Sequence, residues 1–184
     1  MAQTIDLFTP NYRLRLMTPA MVTDRWIGWT ADRSLMNKLN SKTLKLKKAD
    51  VQRYVASAIA GRRAIVGIFR LADGDHAGLY EIALDQRHRL ANLDILVDLK
   101  RYSLEGVLGE TDRVLLADLN IRFGVQKAAA LVPATFKEVI RHFESAGWLK
   151  EGILRSEFPG VEADERVDAV QFGQLLGAQS LTGS

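Results

Sequence analysis

Two carboxylates on neighbouring predicted strands are the side chains of this 184-residue chain best suited to chemistry. Residues 92–99 follow a period of two, so Asp94 faces the same side of its strand as Asn92. Glu81 lies in the preceding predicted strand, "GLYEIAL". Two such carboxylates can take a proton from a bound group, directly or through water, or bind a cation. The solvated face of an antiparallel hairpin also carries charged residues, so both explanations stay open.

Other residue types do not add a second kind of site. The chain has no cysteine, which excludes disulfides, a thiol nucleophile and cysteine-bound zinc. A Walker loop and a nucleophile elbow are absent. No pair of histidines has metal-ligand spacing with a third ligand, so we predict no metal and place all three histidines at the surface: His76, His88 and His142.

The composition is that of a soluble globular protein, with 47% hydrophobic residues, 26% charged residues and a formal net charge of +3. No run approaches the roughly 18 apolar residues of a membrane span, and no secretory signal is visible, which predicts a cytoplasmic protein. The densest basic group, "KTLKLKK" at 42–48, is interpreted as a solvated approach to a helix. The alternative is that it attracts a phosphate ligand. No nucleic-acid motif accompanies it.

The hydrophobic pattern predicts a sheet with one parallel pair of strands. The order is a strand, three helices, an antiparallel meander, a helix, a strand, a helix and two strands. The first helix should begin at Thr18-Pro19 and the helix after the meander at Gly109. Because that second helix separates the apolar run 127–132 from the meander, the strands on either side of it should run parallel. A mixed sheet splits where its parallel pair diverges, and ligands tend to bind there.

The segment "FKEVIRHFESAGWLKEGILR" at 136–155 joins an amphipathic helix to a strand. Gly147 follows the helical pattern where a left-handed residue would end the helix, and Trp148 can then fold back on it. This run resembles the helix end, Gly-Phe and Glu-Gly-x-Leu-Arg of the GNAT acyltransferase superfamily, in particular its ribosomal-protein N-acetyltransferase-like branch. "LRLMTPAMVTDRW…DRSLMNKLN" resembles the opening strand and helices of that branch, and "ANLDILVD…GVLGETDRVLLADLNIRFGVQKAAALVPAT" resembles its acyl-CoA half. The resemblance extends over residues 11 to about 172.

The resemblance implies an α/β fold of the α+β type. Its central sheet should be mixed, mostly antiparallel and splayed at the parallel pair, with helices on both faces. One domain over residues 1–184 is expected, since no repeat or linker interrupts the chain. The implied activity is N-acyl transfer, most often acetyl transfer, from acetyl-CoA or another acyl-CoA to a primary amine by direct attack in a ternary complex.

The resemblance also implies where the acyl-CoA binds. A strand end should contact the thioester and pantetheine through its backbone, and the next helix N-terminus should hold the pyrophosphate, since it carries about half a positive charge. The residues implied as donor contacts are Leu96, Val97, Asp98, Arg101, Gly106, Gly109 and Glu110.

The pyrophosphate loop departs from the family pattern Gln/Arg-x-x-Gly-x-Gly/Ala. With Gly109 at its last position, Leu104 stands where Gln or Arg is expected and Val107 where the inner glycine is expected. Valine tolerates a positive φ poorly, so a distorted phosphate cradle is predicted. Lys100 and Arg101 could supply positive charge instead.

The catalytic positions depart as well. Phe143 stands where many members carry a tyrosine general acid, and Asn92 where several carry a glutamate base. The base predicted here is Asp94, acting directly or through water, with Glu81 as the second candidate. The acceptor is expected to be a small-molecule or peptide amine, bound by Trp26, Trp29 and Tyr80.

Three functions follow from these features. The first is the N-acyltransferase, a monomer or homodimer without a nucleic-acid or membrane partner. The second is a catalytically silent GNAT-like ligand-binding or regulatory domain, which the altered loop and Phe143 favour. The third is a phosphate-ligand binder that uses the basic segment 42–48.

Overall fold

The computed structural model describes residues 4–39, 41–160 and 164–177. Within these ranges the chain forms one eight-stranded sheet, five α-helices and a short 3-10 helix at Pro19–Met21. The strands are β1 (Asp6–Phe8), β2 (Tyr12–Leu16), β3 (Arg63–Arg70), β4 (His76–Asp85), β5 (Leu90–Val97), β6 (Lys127–Pro133), β7 (Leu149–Pro159) and β8 (Arg166–Leu175). The helices are α1 (Asp24–Thr30), α2 (Arg33–Lys38), α3 (Lys48–Ala60), α4 (Leu104–Phe123) and α5 (Lys137–Ser145). None of these helices has the length and apolar character needed to cross a membrane.

The sheet has the strand order β1-β2-β3-β4-β5-β6-β8-β7, and β5–β6 is the parallel pair in an otherwise antiparallel arrangement of the described strands. Successive residues of a strand point to opposite faces. Accordingly, Val66 and Tyr80 belong to an apolar core with α4 and α5, whereas Ile65 and Leu79 belong to a second core with α1, α2 and α3. The predicted mixed sheet with helices on both faces is confirmed.

The parallel pairing of β5 and β6 is short. Its last matched residues are Asn92 of β5 and Ala129 of β6. β5 continues to Val97 along β4, and β6 continues to Pro133 along β8. Beyond Asn92 the two strands therefore run on with their facing edges unpaired, which is the splay that the resemblance implies.

The first part of the chain differs from the predicted elements. α1 begins at Asp24, because Thr23 accepts a hydrogen bond from the backbone N–H of Trp26 at 3.2 Å and caps it. Pro19 begins only the 3-10 turn, and Thr18 makes no capping hydrogen bond with its side chain. The strand β1 is not predicted from the sequence, since three residues are too few to show a period.

The end of α5 confirms the prediction made for Gly147. Its φ is 83°, and the N–H groups of Gly147 and Trp148 donate to the carbonyls of Glu144 at 3.4 Å and Phe143 at 3.0 Å. This pair of bonds is a Schellman motif, which satisfies the last carbonyls of the helix. Trp148 is buried, with its ring centroid 4.7 Å from that of Phe143.

Replacing Gly147 by alanine is expected to lower the free energy of unfolding by about 1 kcal/mol. A Cβ at this position would meet no atom within 4 Å, so the cost comes from the left-handed backbone. Urea denaturation measures the change. Gly109→Ala is the control, because Gly109 lies within α4 with equally open space, and alanine there should leave stability unchanged or raise it. Equal losses in the two variants would exclude the backbone explanation.

Candidate active site

A cavity of about 640 Å³ opens between the diverging ends of β5 and β6. Residues 93–96 and 130–133 of these strands line it, together with α1, α2 and α3 on one side and α5 on the other. The cavity lies where the sequence predicts a ligand cleft. Most of its side chains are apolar, among them Trp26, Met36, Leu44, Leu46, Val51, Leu79, Leu131, Val132, Phe136 and Phe143.

The two predicted carboxylates, Glu81 and Asp94, both line this cavity. They are directly opposite each other in the β4–β5 register. The Glu81 side chain is only 12% exposed and accepts hydrogen bonds from the Arg63 guanidinium and the Tyr54 hydroxyl. The Asp94 carboxylate makes no hydrogen bond or ion pair with another residue that the structure describes. The two carboxylates therefore lie side by side, but Glu81 is held by hydrogen bonds whereas the carboxylate of Asp94 is not.

Asp94 has the stronger character of a base. Desolvation within the cleft raises the pKa of Asp94 above its ordinary value, and the negative charge of Glu81 raises it further. The guanidinium of Arg63 opposes this shift. The Asp94 side chain still reaches solvent, so it is accessible to water or to a ligand in the cleft. Glu81 is occupied by two donors, and its part is to hold negative charge beside Asp94.

Tyr54 is a cavity residue that the sequence does not identify. Its position on α3 fits the buried stripe of Val51, Val55 and Ala58, which predicts a core residue. The structure leaves Tyr54 42% exposed at the cleft, with its hydroxyl donating to Glu81 and the Arg63 guanidinium 5.7 Å from its ring centroid. The sequence feature that could have identified Tyr54 is its hydroxyl group within an otherwise apolar stripe.

The end of β5 is held in place by backbone bonds. Leu96 lines the cavity, whereas Val97 packs into the core beside α4. Asp98 is buried, and its carbonyl accepts hydrogen bonds from the N–H groups of Arg101 and Tyr102, both at 3.0 Å. This turn leads directly into α4. The edge of β5 that faces β6 can therefore offer N–H and C=O groups to an extended ligand.

α4 starts at Leu104, five residues before the predicted start. Ser103 caps it by accepting a hydrogen bond from the N–H of Gly106 at 3.0 Å. Val107 is buried in the second turn, and no described residue from Leu104 to Gly109 has a positive φ. The predicted distortion at Val107 is therefore wrong, because a helix rather than a loop spans this position. The N–H groups of Leu104 and Glu105 have no acceptor within the helix and can bind an anion.

The cations beside this helix end already have partners. Lys100 Nζ lies 2.7 Å from Asp32 Oδ2, and Arg101 Nη1 lies 3.2 Å from Asp75 Oδ2. Asp75 also accepts a hydrogen bond from the Tyr102 hydroxyl. Lys100 and Arg101 line a second, polar cavity of about 890 Å³. A phosphate group at the start of α4 would compete with these carboxylates for the two cations.

Glu110 and Tyr80 are predicted site residues whose side chains lie away from the cleft. Glu110 fixes the turn between β1 and β2, accepting hydrogen bonds from Thr9 Oγ1 at 2.9 Å and Asn11 Nδ2 at 2.7 Å. Tyr80 is 1% exposed and belongs to the core on the opposite face of the sheet, where its hydroxyl donates to Asp112. Both side chains therefore form structural contacts, Glu110 between α4 and the β1–β2 turn and Tyr80 between β4 and α4.

The two predicted acceptor tryptophans are separated. Trp26 lines the cleft, whereas Trp29 lines the second cavity, and both rings contact His76 at centroid distances of 6.1 and 4.7 Å. Phe69 stacks on His76 at 4.6 Å, and Thr23 Oγ1 lies 2.8 Å from its Nδ1. His76 is only 2% exposed, so its predicted surface position is wrong.

The other two histidines differ in their exposure. His88 is exposed, as predicted. His142 is buried, and its Nε2 lies 2.7 Å from Asp112 Oδ2, so its predicted surface position is wrong. The reason is that this side of α5, polar in sequence, packs against α4 and supplies a partner for Asp112 there.

Comparison with solved structures identifies the fold. An acetyl transferase from Salmonella typhimurium that modifies the N-terminal serine of ribosomal protein L7/L12 has a TM-score of 0.79 at 12% identity, covering 95% of this chain and 100% of its own. A spermidine N-acetyltransferase from Vibrio cholerae, in complex with CoA and spermine, has a TM-score of 0.76 at 15% identity, covering 89% and 95%. A GNAT-family acetyltransferase from Bacillus anthracis has a TM-score of 0.75 at 13% identity, covering 92% and 98%. No protein-family model and no curated protein matches. The chain therefore has the fold of GNAT acetyltransferases.

The buried His76 should make stability depend on pH. Burial lowers the pKa of His76 from 6.5 to about 4, so between these values the unfolded chain binds a proton that the folded protein does not. The stability is complete above pH 6.5 and falls by up to about 3 kcal/mol as the pH drops towards 4. His76→Gln should flatten this dependence in urea denaturation at several pH values, whereas the exposed His88→Gln should keep it. An unchanged slope in His76→Gln would contradict the assignment.

Proposed function

We propose that this chain is an acyl-CoA-dependent N-acyltransferase, in the simplest case an N-acetyltransferase, which moves an acyl group from a CoA thioester to a primary amine within a ternary complex. The observation that carries the proposal is the free edge of β5 beyond Asn92, which opens into an apolar cavity containing Asp94. An unpaired strand edge binds an extended amide chain such as pantetheine, and a free carboxylate serves the amine. The fold shared with solved acetyltransferases supports the same function.

The donor half of the site uses backbone groups. The pantetheine amides lie along residues 93–96 of β5, and the diphosphate lies at the N-terminus of α4. Lys100 and Arg101 precede that helix and supply positive charge to the diphosphate, in competition with their aspartate partners. A backbone N–H of the free β5 edge donates to the thioester oxygen as it becomes an oxyanion. This half of the site therefore tolerates the altered loop sequence, since backbone groups do not depend on side-chain type.

The acceptor half uses Asp94. The amine nitrogen attacks the thioester carbon, Asp94 takes the amine proton directly or through water, and the carbon–sulfur bond then breaks to release the thiolate. Glu81, held by Arg63 and Tyr54, keeps the pKa of Asp94 raised and leaves its carboxylate free. Phe143 is buried and carries no proton to donate, so the thiolate takes its proton from water.

The donor site is tested by ligand-induced stabilisation. Acetyl-CoA at 100 times its Kd should add about 2.7 kcal/mol and raise the Tm by roughly 5 °C or more. Differential scanning fluorimetry with acetyl-CoA and longer acyl-CoAs measures this shift, with ATP as a control for nonspecific binding of a polyanion. The same samples, given a panel of amines, report CoA release through its thiol. No shift with any acyl-CoA would reject the proposal, and a shift without acylation of any amine would point to a silent binding domain.

The base is tested by Asp94→Asn. An amide cannot take the amine proton, so we expect kcat/KM to fall by about 100-fold while the acetyl-CoA-induced Tm shift remains. In the wild type, kcat/KM should rise with pH as Asp94 loses its proton, with the midpoint above its ordinary pKa, and this limb should vanish in the variant. Asp164→Asn is the matched control, because Asp164 is exposed and its φ of 67° suits asparagine. Full activity in Asp94→Asn would remove Asp94 as the base.

A further inference from the structure

The acceptor side of the cleft has a net charge of one negative unit. Glu81 and Asp94 are the charged side chains that line the cavity in the described residues. Arg63 cancels the charge of Glu81 through their ion pair, and its guanidinium also lies against the ring of Tyr54. One ammonium group therefore finds one uncompensated carboxylate, that of Asp94.

The walls around this carboxylate carry no second uncompensated anion among the described residues. Trp26, Leu44 and Leu79 contribute apolar surface. The two other hydroxyls of the described lining are neutral and each donates to a backbone carbonyl: Thr30 to Ile27 O at 2.8 Å and Ser41 to Leu39 O at 3.4 Å. A second positive charge placed deeper in the cleft would lose its water without gaining a second carboxylate, which is unfavourable.

The loop before α3 adds positive charge next to the cleft. The loop before α3 is fixed to α1 by a hydrogen bond from Leu44 N to Thr30 O at 2.7 Å, and Leu44 lines the cavity. Lys42, Lys45 and Lys47 on the same loop are exposed and form no ion pair with a described residue. Their positive charges disfavour the approach of a polycation to the cleft.

We propose that the acceptor subsite takes a single primary amine carried on an apolar body and rejects polyamines, with Arg63 as the residue that sets this specificity. The inference rests on the proposed N-acyltransferase function and narrows its substrate class. Arg63 acts through Glu81: by neutralising that carboxylate it leaves Asp94 to bind and deprotonate one amine. Without Arg63 the cleft would hold two uncompensated carboxylates and would accept a second ammonium group.

The test uses two acceptors that differ only in their second ammonium group, hexylamine and 1,6-diaminohexane. With acetyl-CoA as donor, kcat/KM for hexylamine should exceed that for the diamine by about tenfold or more, the size of effect expected from one charge in a partly solvated cleft. Arg63→Gln should reduce this ratio by about tenfold, mainly through the KM of the diamine. Arg63→Lys keeps the charge and should keep the ratio.

Arg53→Gln is the matched control. Arg53 lies on α3, its side chain is 74% exposed, and it pairs with Asp50 outside the cavity. Replacing it therefore removes the same charge as Arg63→Gln without affecting the partners of Glu81. In Arg53→Gln, the ratio of kcat/KM for hexylamine to kcat/KM for 1,6-diaminohexane should equal that of the wild type. A ratio in Arg53→Gln that falls as far as in Arg63→Gln would overturn the role of Arg63.

The remaining outcomes separate the two proposals. If the wild type uses the diamine as well as hexylamine or better, the specificity inference is wrong and the N-acyltransferase function stands. The same holds if only other amines, such as a peptide N-terminus, are acylated. If acetyl-CoA binds and no amine of any class releases CoA, the N-acyltransferase proposal itself fails, and the inference fails with it.

Discussion

The early end of pairing between β5 and β6 is the constraint on which the site depends. Each strand keeps a partner on its other side, β4 for β5 and β8 for β6, so the two can part after Asn92 and Ala129 without leaving the sheet. The parting leaves backbone groups that need a hydrogen-bond partner from water or a ligand. It also exposes apolar side chains that would otherwise close the core, including those of α5. The cavity, its apolar lining and its free strand edge thus all result from the early end of the hydrogen bonding between β5 and β6.

The electrostatics of the cleft follow from a cross-strand pair. Glu81 and Asp94 face each other directly, an arrangement that is destabilising for two like charges. Arg63 and Tyr54 make it tolerable by bonding to Glu81, which is the more buried of the two. Asp94 has no such support and keeps a raised pKa. Two adjacent carboxylates therefore differ in their hydrogen bonding and in the proton affinity that follows from it. Such differences are common for paired carboxylates at functional sites.

Local patterns in the sequence predicted those features whose cause is local. The period of two in β5 placed Asp94, and Gly147 marked the end of α5, because both depend on backbone geometry within a few residues. The start of α4 was misjudged because a serine cap at Ser103 outweighed the low helix propensity of the glycines after it. Tyr54 and His142 were missed for another reason. Their partners, Glu81 and Asp112, are distant in sequence, and only the packing of helices on the sheet brings them together.

The link between the two halves of the site lies in the cations of the β5–α4 turn. Lys100 is bonded to Asp32, which also caps α2 by accepting hydrogen bonds from the backbone, and Arg101 is bonded to Asp75 beside β4. These ion pairs connect the turn that leads into α4 to α2 and to the loop between β3 and β4. A diphosphate at α4 would compete with both aspartates for the same cations, so its affinity includes the loss of these contacts. Binding there would weaken the contacts of Asp32 with Lys100 and of Asp75 with Arg101. The start of α4 and the helix α2 beside the cleft are therefore coupled through the ion pair of Lys100 and Asp32.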